Sequence, residues 1–392
     1  MASLTSSARL PATIWVVGFV SLLMDTSSEI IHALLPLFLT TGLGASVAVV
    51  GLIDGVGEST AAIAKVFSGY LSDRIGRRKP LILIGYGLAA LSKPLFALAP
   101  NPLVVFTARF ADRVGKGLRG APRDALVADV TPESMRGRAY GLRQALDTTG
   151  AFAGPLLAIA LMALFADNMR AVFWIAVIPA AASVALVLVG LEDRTTKEQV
   201  RAPIRLQDLS SLSRSYWLLM AVSVMFTFAR FSEAFLVLKA NAEGLPLMFA
   251  PLVLVVMNFV YAFGAYPAGA IADRTAPRSL LMLGIAVLIA ADLLLGLVPE
   301  LIGAFAGIVL WGAHLALTQG LFSKLVADAA PERLRASAFG IFNLLTGLSL
   351  LVASVLAGQV WVSWGSAATF LVGALLAAAA ALGAAVSAPR RP

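Results

Sequence analysis

Three ionisable residues stand in one apolar stretch near the start of the chain: Asp25, Glu29 and His32. Spacings of four and seven residues place all three on one face of a helix. A carboxylate in a partly dry cavity can take up and release a proton near neutral pH, so Asp25 and Glu29 read as candidate proton carriers. His32 is placed beside them in a substrate cavity, with hydrogen bonding to water near the outer mouth as its alternative role. A denser set follows in the fourth apolar stretch. Arg109, Asp112, Arg113, Lys116, Arg119 and Arg123 recur every three or four residues, which keeps them on one side of a helix. Such a stripe cannot face lipid, because an ionisable group at membrane depth is costly unless paired or hydrated. It must line a water-filled cavity or meet acids on neighbouring helices, for which Asp25, Glu29, Asp54, Glu58 and Asp147 are available. Arg119 and Arg123 are expected in water or on lipid phosphates. Further along, Arg230 and Glu233 lie three residues apart as cavity residues or as an internal pair, and Asn258 joins them as a ligand or a helix-to-helix hydrogen bond. Lys65, Lys93 and Asp292 lie nearer the ends or outer faces of their stretches, where snorkelling accounts for them.

The elements that position these charges follow from composition. Of 392 residues, 59% are hydrophobic and 13% charged, against roughly 45–50% and 25% in soluble domains. Such a chain belongs in a membrane. Apolar stretches separated by polar, Gly- or Pro-bearing connectors fall at 12–38, 46–70, 80–99, 102–126, 138–165, 171–191, 215–238, 247–272, 279–298, 302–326, 337–360 and 366–387. Twelve membrane helices leave no room for a separate soluble catalytic or nucleic-acid domain. The formal charge of +8 then reports basic connectors rather than a nucleic-acid partner. With no cysteine there is no disulfide framework and no thiolate metal site. Neither H-E-x-x-H nor G-x-S-x-G occurs, and Gly115-Lys116-Gly117 lacks the remainder of a phosphate loop. The sequence points to no enzyme, cofactor or metal centre.

Basic residues concentrate in alternate connectors, among them Arg74, Arg77, Arg78 and Lys79, then Arg136 and Arg138, then the stretch 194–214. Those connectors and both termini are expected on the cytoplasmic side. The longest polar connector, 192–214, divides the chain into six-helix halves, 1–191 and 215–392. The halves repeat. Gly69-x-x-x-Asp73-Arg74 returns 200 residues later as Gly269-x-x-x-Asp273-Arg274, Ala128-Asp129 returns as Ala327-Asp328, and Ser28-Glu29 as Ser232-Glu233. A parallel repeat of this kind gives a pseudo-twofold axis along the membrane normal and a midplane site between two bundles.

Gly69-x-Leu71-x-Asp73-Arg74-x-Gly76-Arg77-Arg78 closely resembles the signature loop after the second helix of the major facilitator superfamily. Arg109-Phe-Ala-Asp-Arg-Val-Gly115-Lys-Gly117 resembles that family's fourth-helix motif, with Asp112 and Arg113 in place of the usual neutral pair. Gly150-x-x-x-Gly154-Pro155 is similar to the antiporter signature of drug/proton exporters, although Leu157-Ala158-Ile159 replaces its later paired glycines. The resemblance implies an all-α fold of two pseudo-symmetric six-helix bundles in the bacterial inner membrane, a monomer with no nucleic-acid partner, moving a small molecule by alternating access with protons as coupling ion. It implies that Asp73, Arg77 and Asp129, with Gly69 and Arg74 around them, latch the halves, with Asp273 as a weaker copy. It implies that Arg109 pairs with an acid of the first helix, Asp25 or Glu29, until that acid is protonated. Lys116, Arg113, Asp112, Asp147, Arg230, Glu233 and Asn258 then line the cavity, whose cations suit an anionic or zwitterionic solute, and export is the expected direction. Proton-coupled import of an organic acid, sugar or metal complex is the second reading, and a receptor or lipid scramblase on the same fold the third.

Overall fold

A computed structural model describes residues 10–192, 212–331 and 334–386. Most of the connector 192–214 thus lies outside the described residues. The chain runs through α1 (Ala12–His32), α2 (Val47–Ile75), α3 (Lys79–Leu98), α4 (Pro102–Val130), α5 (Arg136–Leu164), α6 (Met169–Gly190), α7 (Arg214–Ala229), α8 (Ala234–Ala242), α9 (Leu252–Arg274), α10 (Pro277–Leu297), α11 (Leu301–Ala329) and α12 (Arg335–Val386). The described residues contain no strand. Helices are the natural answer for an apolar chain in lipid, since each satisfies its own backbone.

Helix starts follow local chemistry. The side chains of Asn101, Asn168 and Ser213 accept the backbone N–H groups of Val104, Ala171 and Tyr216 at 3.2 Å each, relieving donors that the first turn leaves unpaired. Gly76 closes α2 at φ +69, a left-handed conformation that glycine enters without steric cost.

By length and composition, ten helical stretches among the described residues can cross a membrane. The 29-residue α4 is not one of them, because the cationic stripe runs along it. In α12 the helix is interrupted at Gly365 (φ +86). Two apolar stretches read as continuous are broken. After His32 the chain passes through a short turn, Leu35–Leu37 and a five-residue π-helical turn, Phe38–Gly42, where Pro36 cannot donate a helical hydrogen bond. The span beginning at α7 breaks at Arg230–Glu233 before resuming as α8. There the hydroxyl of Ser354 accepts the Ser232 N–H, and the Ser232 hydroxyl accepts the Ala234 N–H, both at 3.1 Å. Irregular backbone at this depth is tolerated where protein side chains take up the freed groups.

In the first half α1 packs on α5 and α6, and α4 on α2 and α3; in the second, α11 packs on α9 and α10, and α12 on α7 and α10. Two seams join the halves: α2 against α12, and α5 against α9. The apolar core shows how they meet. At the end opposite the basic connectors one cluster is shared, with Leu34, Phe38 and Ile53 of the first half among Phe231, Phe235 and Leu254 of the second. At the basic end the core separates into one cluster around Val17, Tyr86 and Val187 and another around Tyr216, Val326 and Ile341. The molecule is sealed at one end and parted at the other.

Candidate functional site

The buried face of α4 carries Arg109, Asp112, Arg113 and Arg119. Each of the first three finds an opposite charge. Arg109 donates to Asp54 at 2.6 Å and Glu58 at 3.3 Å, and Arg113 reaches Glu58 at 3.2 Å and Asp112 at 3.2 Å. Lys93 of α3 donates to Asp112 at 2.8 Å and to the Ser28 hydroxyl at 2.9 Å. Pairing of this kind makes buried charge tolerable. The expected partnership of Arg109 with Asp25 or Glu29 is corrected: no such ion pair occurs among the described residues, because α2 rather than α1 covers this part of the stripe. Gly57 explains the fit. A Cβ there would come within 3.2 Å of both arginine side chains, so the glycine leaves the guanidiniums room to reach Asp54 and Glu58 on either side of it.

On α1 the three predicted residues divide. The His32 ring stands between two carboxylates, with Nδ1 3.3 Å from Glu29 and Nε2 3.8 Å from Asp54. Asp25 faces Asp147 of α5, with Lys116 and Arg119 within electrostatic reach. Asp147 is also held by Arg123 at 3.3 Å, and Arg123 donates to the Ser21 hydroxyl at 2.9 Å. Arg119 lies 4.6 Å from the centroid of the Tyr86 ring, a cation–π contact. Arg119 and Arg123 are therefore packed inside the protein rather than spread into water or onto lipid phosphates.

Close approach of α1 and α5 creates the Asp25–Asp147 neighbourhood, and two glycines permit it. A Cβ at Gly150 would meet the Leu22 carbonyl at 2.5 Å and the Asp25 side chain at 3.2 Å, and one at Gly154 would meet the Thr26 carbonyl at 2.9 Å. Gly150, Gly154 and the following Pro155 are buried, an arrangement typical of small-residue contacts between membrane helices.

A cavity of about 310 Å³ lies between the halves, lined by Glu29, His32, Asp54, Arg113, Lys116 and Glu233 among others. A second, of about 340 Å³, shares Glu58, Arg230 and Gln319 with it and continues past Phe322 and Asn343 towards the basic end. Arg230 and Glu233 sit at the α7–α8 break and face this space without forming an ion pair among the described residues. Lys116 likewise has no hydrogen bond or ion pair there. Asn258 lines the cavity, while Gln319 accepts a hydrogen bond from Tyr261 at 2.8 Å. No cluster of three or more His, Asp or Glu is placed to hold a metal ion among the described residues.

Below the cavity, the signature loop folds differently from expectation. Arg78, not Arg77, spans Asp73 and Asp129: it donates to the Asp73 carboxylate, to Asp129 at 3.2 Å and to the Ser72 hydroxyl at 2.9 Å. Burial opposes the Arg78 charge, but Asp73 and then Asp129 outweigh it and raise the guanidinium pKa above its ordinary value. The left-handed turn at Gly76 reverses the chain, so that Arg78 is buried beneath α2 while Arg74 and Arg77 are exposed. All three bridged residues belong to the first half, tying α2 to the end of α4. Gly69 lies where a Cβ would touch Ala121 of α4 at 3.3 Å. Asp273 closes α9, and its side chain lies outside the described residues.

Two buried groups overturn the snorkelling reading. Lys93 is 1% exposed and Asp292 is fully buried. Both carboxylate oxygens of Asp292, the Trp311 indole nitrogen and both His314 ring nitrogens lack hydrogen-bond partners among the described residues. Asp54, Glu58 and Lys93 are the site residues that spacing on α1 and α4 alone does not nominate. Their signal is charge inside an apolar stretch opposite a cationic one.

A family model described as Major Facilitator Superfamily matches residues 17–354 and 244–392. An uncharacterized MFS-type transporter of Methanocaldococcus jannaschii is 29% identical over 380 residues, 94% of this chain and 93% of that protein. The multidrug resistance protein MdtH of Photorhabdus laumondii is 32% identical over 155 residues, 40% of this chain and 38% of its own length. Among solved structures, the nucleoside transporter NupG superposes with a TM-score of 0.83 at 14% identity, covering 95% of this chain and 99% of that one.

Proposed function

Since the chain belongs to the Major Facilitator Superfamily, a family of membrane transporters rather than enzymes, we propose that it is a proton-coupled secondary transporter working by alternating access. In this reading twelve spans form two bundles, 1–191 and 215–392, joined by the 192–214 connector. The basic connectors and both termini face the cytoplasm of a bacterial cell, and the protein works as a monomer in the inner membrane. The solute is a small organic anion or zwitterion, and the direction is export, which the partial likeness to a multidrug resistance protein supports.

One observation carries the proposal: buried ionisable side chains from both halves surround a cavity that is sealed at one end and continues towards the basic end. Asp25 and Asp147 are neighbouring carboxyls that repel when both are charged, so one proton bound between them relieves the conflict. Glu29, His32 and Asp54 form a second protonatable group that touches Arg109 and, through Ser232, the other half. Protonation of either group alters the charge balance of the cavity and the link between the halves. Reconstituted protein should show substrate-triggered proton movement across liposomes. Asp25→Asn should uncouple proton movement from substrate, and Glu29→Gln should impair it; full coupling in both variants would remove these acids from the mechanism.

A further inference from the structure

Beside the charged cavity, a slot of about 580 Å³ opens in the seam between α5 and α9. Phe152, Phe259, Ala262 and Phe263 give it an apolar wall. Phe259 and Phe263 have ring centroids 4.5 Å apart and are 50% and 69% exposed. The acid at the slot's edge, Asp147, is already engaged by Arg123 at 3.3 Å. Ala151 and Asn258 line both the slot and the charged cavity, so the two spaces adjoin. Their chemistry is opposite.

In the charged compartment most groups cancel. Asp54 and Glu58 are paired with Arg109 and Arg113, and Glu29 with His32. Lys116, Arg230 and Glu233 line the cavity and have no hydrogen bond or ion pair among the described residues, leaving two cations and one acid there to meet a ligand. A small hydrophilic solute would answer that charge and leave the slot unfilled. A lipophilic cation would fill the slot and oppose the charge.

We infer that the ligand is a single-chain anionic amphiphile drawn from the bilayer, its head held between Lys116 and Arg230 and its alkyl chain lying in the α5–α9 slot. The inference narrows the solute of the transporter reading and rests on it for its physiological use. Binding itself needs no transport. An amphiphile matches a cavity that is polar at one side and apolar at the other, where burial of the chain supplies most of the affinity and the cations select the head.

The test uses the full chain in phosphatidylcholine nanodiscs, with thermal unfolding followed by tryptophan fluorescence. Dodecyl phosphate should raise Tm by about 2 °C or more, while butyl phosphate and dodecyltrimethylammonium should not. Ala151→Trp, which fills the junction, should abolish the response. Lys116→Gln, a milder change on the cavity wall, should erase the preference for dodecyl phosphate over the ammonium of equal chain length. Equal shifts with butyl phosphate, equal shifts with the cationic amphiphile, or no shift with dodecyl phosphate would each overturn the inference. Proton movement triggered by a short anion in liposomes, together with any of those results, would leave the transporter reading standing without the amphiphile. Dodecyl phosphate binding without proton movement for any ligand would do the reverse.

Discussion

Asp54 and Ser232 lie 178 positions apart and are joined by a hydrogen bond between their side chains, the serine hydroxyl donating to the carboxylate. The same carboxylate accepts from Arg109 at 2.6 Å. One acid thus connects the buried cations of the first half to the helix break of the second, and any change in its charge is felt on both sides.

Ser232→Ala should loosen the sealed end. A net hydrogen bond is worth about 1 kcal/mol, equivalent to roughly a fivefold shift in a two-state equilibrium. The chain contains no cysteine, so a single reporter at Ala48, which abuts Gly358 across the seam, gives an unambiguous signal. Maleimide labelling of Ala48→Cys should accelerate several-fold in the Ser232→Ala background. An unchanged rate would show that the hydrogen bond does not hold the seam.

Lys93 and Asp112 should be separable by a double-mutant cycle. Removing one member of a buried pair strands the other and typically costs about 3–5 kcal/mol, whereas replacing both with apolar residues is far milder. Lys93→Met should therefore lower the unfolding midpoint sharply, and adding Asp112→Leu should recover much of the loss. Strictly additive effects would mean that the two do not act as a pair, although the remaining contact of Asp112 with Arg113 (3.2 Å) limits how complete the recovery can be.

Gly154 should tolerate almost nothing larger than itself. Its Cβ position is occupied by backbone and side chain of α1, so Gly154→Val forces α1 and α5 apart, at about 1–3 kcal/mol or more. Gly87 has open space at the same position, and Gly87→Ala should be neutral or slightly stabilising. Parallel thermal melts of the two variants check the contrast; equal melting points would refute close packing at Gly154.

Arg78→Ala should lower stability by about 1–2 kcal/mol, the scale of charge-assisted hydrogen bonds that are partly exposed. Arg78→Lys should restore only part of it, because a lysine is a point donor that cannot reach Ser72, Asp73 and Asp129 as the guanidinium fork does. Full rescue by lysine, measured by thermal unfolding, would show that charge alone matters.

Much of the fold was legible because lipid leaves a chain few options. The apolar stretches coincide closely with the helices, and of the charges spaced by three or four on α4, Arg109, Asp112, Arg113 and Arg119 are buried while Lys116 is exposed. What spacing could not provide was the neighbour. Period fixes where a side chain points from its own axis, but whether α1 or α2 covers Arg109 depends on packing around Gly57, a contact set by the third dimension. Lys93 was misread for the same reason, since distance from a helix end says nothing about whether a face turns to lipid or to the bundle. In the signature loop a single left-handed residue, Gly76, moved the bridging role from Arg77 to Arg78. The breaks at His32 and at Arg230–Glu233 were hidden because hydropathy averages over them, and serine hydroxyls rather than glycine or proline alone sustain the second one.

The apolar cluster common to both halves at the sealed end has a bearing on assembly as well as on motion. Each half made alone would leave its own portion of that cluster without the surface it packs against. Two polypeptides cut between Glu192 and Leu212 and synthesised together should therefore find one another in the bilayer and co-purify through an affinity tag on either piece. In that sense the region that keeps solute from leaking is also the adhesive that makes one molecule out of two.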